Sequence, residues 1–172
     1  TPFRADGSPD EAGLVAIVNY AIASGVDGVV YPGFASECDS LTQYERMRLS
    51  DLVAREARGK VSLVIGGSSA ETSTTEDVAR RAQTQLAESL MVMAPKTITA
   101  PDEVIAYFTR IAAATGNVSL MLQNAPPPSG SGLPVSVVLD VLHAVPQIHY
   151  VKEEALPSGA RIAQMLAGAP PT

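Results

Sequence analysis

The chain is poor in the residues that announce many functions. One cysteine, Cys38, excludes an internal disulfide and any cysteine-rich zinc site. Lysine and arginine nowhere cluster, and a net charge of −6 argues against a nucleic-acid partner. No apolar run reaches membrane-spanning length, and no signal-peptide pattern is visible. No G-x-G-x-x-G follows the first apolar run, and no G-x-x-x-x-G-K-[ST] occurs, so neither phosphate-cradling fingerprint is present. His143 and His149 are the only histidines; both read as packing or surface residues, and no metal constellation is expected. The chain opens on Thr1-Pro2-Phe3 without a methionine. A single cysteine fits a reducing compartment, and the protein is expected in the cytoplasm.

What is there is a regular alternation. With 46% hydrophobic and 17% charged residues, the chain falls among globular proteins rather than disordered ones. Short apolar runs at Gly28 to Tyr31, Val61 to Ile65, Leu90 to Met93, Val118 to Leu122 and Ile148 to Lys152 each meet a Gly/Pro-rich or polar loop. Helical patterns separate them: Leu14 to Ile22 with Asp10 as N-cap and Gly25 as stop, Leu41 to Ala57, and about Glu76 to Glu88 capped by the Ser/Thr-rich Ser68 to Thr75. Further helices are expected at Ala100 to Thr115, Pro134 to Ala144 and from Arg161 to Leu166. Strands alternating with helices predict parallel βαβ units. An open doubly wound sheet and part of a (β/α)8 barrel both fit. A complete barrel takes about 250 residues, so a barrel reading makes 1–172 a single domain truncated at both ends.

The chemistry concentrates in I-H-Y-V-K-E-E, Ile148 to Glu154. Of the three lysines, Lys60 enters a strand from a turn, Lys96 sits in a polar loop, and only Lys152 ends an apolar run. Strand alternation puts Ile148, Tyr150, Lys152 and Glu154 on one face, and His149, Val151 and Glu153 on the other. An amine and a carboxylate then project side by side. Partial desolvation makes such an amine a nucleophile toward carbonyl carbon. The plain alternative is a strand ending in solvated charges.

Seven loop motifs occur in order. They are T-P-F with D-G behind it, Gly33-Phe34-Ala35-Ser36-Glu37 after the first run, L-T-x-x-E-R at Leu41 to Arg46, Gly66-Gly67 with a Ser/Thr run, Pro95, N-x-P at Asn124 to Pro126, and V-K-E at Val151 to Glu153. Together they resemble the dihydrodipicolinate synthase and N-acetylneuraminate lyase family of class I Schiff-base enzymes. The resemblance implies a partial (β/α)8 TIM barrel, from the end of strand 1 through strand 6. It implies that Lys152 forms an imine with a 2-oxo acid, that no cofactor is needed, and that the full-length protein is a homo-oligomer. The tyrosine that the family donates across its subunit interface has no match near Pro95 to Ile98.

Departures from the family pattern bear on substrate. Phe34 and Ala35 replace hydroxyl residues in the carboxylate-holding loop, leaving Ser36 and the amides of Gly33 to Ser36. Gln123 stands where most of the family has a proton-shuttling tyrosine, and Pro127-Pro128-Ser129-Gly130 offers no arginine for a dicarboxylate. Q-N-A-P at Gln123 to Pro126 and K-E-E at Lys152 to Glu154 look more like the 2-keto-3-deoxyarabonate (pentonate) dehydratase branch. That likeness implies Lys152, Glu154 and Gln123 as catalytic residues, with Gly33, Phe34, Ala35, Ser36 and Asn124 binding substrate. An amide cannot take a proton at neutral pH, whereas Glu154 can, which points to dehydration rather than aldol cleavage. Glu154 as a mere salt-bridge partner, Gln123 as a spacer, Ser36 as a helix cap and a non-catalytic binding barrel stay open as alternatives.

Overall fold

The computed structural model describes residues 1–171. Its framework is a five-stranded, all-parallel sheet in sequential order: β1 (Gly28–Tyr31), β2 (Ser62–Gly66), β3 (Ser89–Val92), β4 (Ser119–Asn124) and β5 (Ile148–Glu153). Helices α1 (Glu11–Ala23), α2 (Gln43–Ala57), α3 (Thr72–Thr84), α4 (Pro101–Thr115), α5 (Val135–Ala144) and α6 (Ser158–Gly168) fill the remaining positions. Each connection between neighbouring parallel strands carries a helix, as parallel pairing demands.

One face of the sheet is packed. Leu63 and Ile65, Leu90 and Val92, and Leu120 and Leu122 lie at alternate positions and meet Leu49, Val53, Val104, Phe108, Ile111, Val138 and Val141 of the helices. The opposite face carries Val30, Val64, Met91, Met121, Gln123, Tyr150 and Lys152, and it is open enough to leave Val30 and Tyr150 exposed. The strands therefore have one buried and one accessible side. Gln123 and Lys152 stand at the C-terminal end of the accessible side.

Local signals explain most boundaries. Asp10 caps α1 by accepting from the Gly13 amide at 3.1 Å, and Gly25 adopts the left-handed φ of +83° just beyond the helix. Thr42 and Glu45 form a reciprocal capping box at the start of α2. Pro101 occupies the first turn of α4, where its missing amide costs nothing.

Four expectations need correction. Helix α3 begins at Thr72 and ends at Thr84, so the hydroxyl residues are part of its first turn, and Glu71 at the cap position makes no side-chain capping bond. It stops early because Leu86 turns left-handed at φ +58°, with the Ala87 amide reaching back to Ala82 O. Helix α6 starts at Ser158, three residues before Arg161. Thr1 to Phe3 contributes only an isolated antiparallel bridge between Phe3 and Pro9, although Thr1 still docks beside β1 through its amino group on Ser36 O and its hydroxyl on Tyr31 OH. Finally, β5 carries a bulge: Leu120 pairs with Ile148, but Met121 pairs with Tyr150. Ile148 therefore lies buried on the helix-covered face, against the simple alternation, and His149 is exposed.

Candidate active site

Beyond the bulge the ladder runs regularly, with Leu122 opposite Val151, Gln123 opposite Lys152 and Asn124 opposite Glu153. This register brings Gln123, Lys152 and Glu154 together on the open face. Lys152 Nζ stands 3.0 Å from Glu154 Oε1. Gln123 donates its amide Nε2 to Glu154 Oε2 at 2.6 Å. Gln123 is buried at 4% exposure, so its side chain has a fixed place from which to hold the carboxylate. The Glu154 main chain is pinned as well, its amide donating to Asn124 O at 2.9 Å. One carboxylate is thus gripped by a neutral amide on one oxygen and an amine on the other. Both Lys152 and Glu154 keep solvent access, with side-chain exposures of 43% and 31%. An exposed ion pair of this kind contributes little to stability, about 0–1 kcal/mol.

The loop after β1 faces the same end of the sheet. Phe34–Ser36 forms a 3-10 turn in which Ser36 Oγ accepts from the Gly33 amide at 3.0 Å. Ser36 is spent on capping its own turn, and with it the Gly33 amide. The amides of Phe34 and Ala35 head the turn, where helical geometry supplies no acceptor of its own. Behind the loop, Gly66 lies so close to Pro32 that a Cβ would sit 1.9 Å from its carbonyl oxygen. Tyr31, at the end of β1, is buried, and that burial raises its phenol above the usual tyrosine range against the opposing hydrogen bond from Thr1.

A cavity of about 350 Å³ opens beside this loop, bounded by Gly33, Phe34, Gly66, Ser68, Met91 and Gln123 and running on between α2 and α3. Lys152 and Glu154 stand outside its wall, across Gln123. Its two arginines are already engaged, Arg46 with Asp39 and Arg81 with Asp51.

Asn124 is placed differently from the expected substrate contacts. It points to the helix-covered side, where Nδ2 donates to Leu133 O at 3.0 Å and to Glu153 Oε2 at 2.9 Å, and Oδ1 accepts from the Leu133 amide at 2.9 Å. Its side chain closes the proline-rich loop of residues 125–132. Sequence reasoning missed Glu153 and Arg161: the Glu153 side chain has 0% exposure and pairs with Arg161 Nε at 3.2 Å. The signal available was a second carboxylate beside Lys152 on the packed face, with an arginine eight residues later. Among the described residues no group of three or more His, Cys, Asp or Glu is arranged to hold a metal ion.

Comparison with known proteins bears on the fold and the family. The sequence profile of the dihydrodipicolinate synthetase family matches residues 1–166. A 4-hydroxy-tetrahydrodipicolinate synthase of Acidobacterium capsulatum is 32% identical over 99% of this chain and 56% of its own length. Another from Methanothermobacter thermautotrophicus is 30% identical over 82% of this chain and 50% of its own. The chain therefore spans about half the length of the curated relatives it matches. Among solved structures, the N-acetylneuraminate lyase of Proteus mirabilis superimposes with a TM-score of 0.85 at 22% identity, covering 98% of this chain and 59% of that one. The dihydrodipicolinate synthase of Rhodopseudomonas palustris gives a TM-score of 0.86 at 20% identity, covering 97% and 56%. Those likenesses carry the fold, an α/β parallel sheet matching part of a barrel, while the profile match carries the family: the chain belongs to the dihydrodipicolinate synthetase family.

Proposed function

We propose that the full protein is a class I lyase that forms an imine between Lys152 and a 2-oxo acid, and that it dehydrates a 2-keto-3-deoxy sugar acid. The observation that carries this reading is the Gln123–Glu154–Lys152 cluster, with contacts of 2.6 and 3.0 Å. Lys152 attacks the C2 ketone, water leaves, and the iminium acidifies the protons on C3. Glu154 is the basic side chain within reach of the amine, and it takes the C3 proton to give an enamine. The same carboxyl then returns that proton to the departing C4 hydroxyl, so water leaves to give a conjugated iminium, and addition of a water molecule at its C2 breaks the C–N bond and releases Lys152 and the dehydrated oxo acid. Gln123 cannot shuttle a proton at neutral pH, but its N–H fixes the carboxylate that does. The substrate carboxylate is assigned to the Phe34 and Ala35 amides.

A second reading has its own support, because the curated relatives are named 4-hydroxy-tetrahydrodipicolinate synthases. In that case the same imine serves C–C bond formation or cleavage. The test is borohydride trapping of the full protein with pyruvate and with a 2-keto-3-deoxy pentonate, followed by product identification. The expected result is a reduced adduct on the peptide containing Lys152, its loss in Lys152→Ala, and a dehydrated oxo acid as product. Pyruvate released together with an aldehyde would favour the second reading. An unmodified peptide at saturating 2-oxo acid would remove both.

A further inference from the structure

Lys152 is followed by two carboxylates, and the structure treats them in opposite ways. Glu154 faces the amine. Glu153 points through the sheet to the helix-covered side and is wholly buried. There Oε1 accepts from the Ala155 amide at 2.8 Å, and Oε2 accepts from Asn124 Nδ2 at 2.9 Å and from Arg161 Nη2 at 3.3 Å. Arg161 also donates to Leu133 O at 2.7 Å. Its Nε lies 3.2 Å from Glu153 Oε1 but off the hydrogen-bond line, so that contact is one of charge rather than of direction.

We propose that Glu153 and Arg161 are positioning residues: a charge-neutral clamp, its carboxylate buried and its guanidinium partly so, that fixes the strand end carrying Lys152 and Glu154 and keeps the second carboxylate from acting on the amine. Three elements meet at the clamp. Arg161 brings the first turns of α6, Asn124 brings the end of β4, and Leu133 closes the proline-rich loop between them. The residues on either side of Glu153 are the two reacting groups, so its anchorage limits how far either can drift.

A buried carboxylate one residue from the amine would favour the ammonium form, which cannot attack a carbonyl. Arg161 cancels that field locally. The groups on the face of Lys152 are few: Glu154 and, further down β5, Tyr150 with its hydrogen bond to Glu88, and from β4 the neutral Gln123; Arg161 of α6 stands across the sheet with Glu153.

The proposal rests on the imine reading for its functional meaning, but its test does not. The pH dependence of Lys152 labelling by limiting acetic anhydride, read by mass spectrometry on the full protein, gives the amine's titration midpoint directly. Arg161→Met should raise that midpoint, Glu153→Gln should lower it, and the double variant should return toward the parent. Arg161→Lys, which keeps the charge, should stay at the parent value. Equal midpoints in both folded single variants, or movement in the same direction, would overturn the clamp. Should Arg161→Met not fold, the near-isosteric Glu153→Gln decides alone: a midpoint no lower than the parent's overturns it. Absence of a borohydride adduct in the parent protein would remove the imine reading while leaving this titration fully informative.

Discussion

At the scale of single residues, the division of labour at the end of β5 makes a sharp prediction. Glu154→Gln keeps the shape and the contact to Lys152 but removes the base, so trapping should persist while turnover falls at least about a hundredfold. Product formation and adduct yield measured on the same sample would check both halves, and unchanged turnover would refute the assignment. Gln123→Tyr restores a proton-carrying side chain and should uncover slow pyruvate release from the same sugar acid. The juxtaposition of Lys152 with Glu154 was legible in the sequence because they stand two positions apart, and the 3.0 Å contact follows from that period. The fate of Asn124 was not. A short polar side chain after a strand reads equally well as a ligand contact or a loop clasp, and only the position of Leu133 nine residues later decides.

Elements were legible where propensity and punctuation agree, as at Asp10 and Gly25 around α1 or the Thr42–Glu45 box on α2. The end of α3 was hidden for a specific reason. The chain folds back through a Schellman-like turn, with Ala87 N bonded to Ala82 O, but the left-handed position holds Leu86 where glycine would have marked the stop. Leu86 is also 68% exposed, so it gains little from burial. Leu86→Gly should therefore stabilise the protein by about 1 kcal/mol, the usual penalty for a β-carbon in that conformation. Urea denaturation of parent and variant would show it as a higher midpoint at equal slope; a lower midpoint would mean that Leu86 packs in a way its exposure hides.

For the whole molecule, the telling contrast is between the two faces of the sheet. Helices seal one, whereas Val30 and Tyr150 are 49% and 42% exposed on the other, and Leu156, Ile162 and Leu166 lie exposed near β5 and along α6. Apolar surface left to water in this quantity is unusual for a stable monomer. Residues 1–172 produced alone should bind a hydrophobic dye strongly and associate with rising concentration, both readable by fluorescence and light scattering. A dye-silent monomer with a sharp thermal transition would show that the open face is self-sufficient. No helix among the described residues is long and apolar enough to cross a membrane, so a bilayer-spanning role for these helices does not explain the exposed side chains.

The bulge at the start of β5 deserves its own reading as a phase shifter. Ile148 is anchored among the helices opposite Leu120, and an unbroken ladder from that anchor would count Lys152 onto Asn124, half a period out. The amine would then be turned into the apolar layer, and Val151 would face the solvent side in its place. One unpaired residue, His149, resets the count so that both requirements hold along a single six-residue strand. Its imidazole matters less than its presence: the histidine works as a spacer inserted into a two-beat pattern, and which side chains share the open face depends on that extra beat.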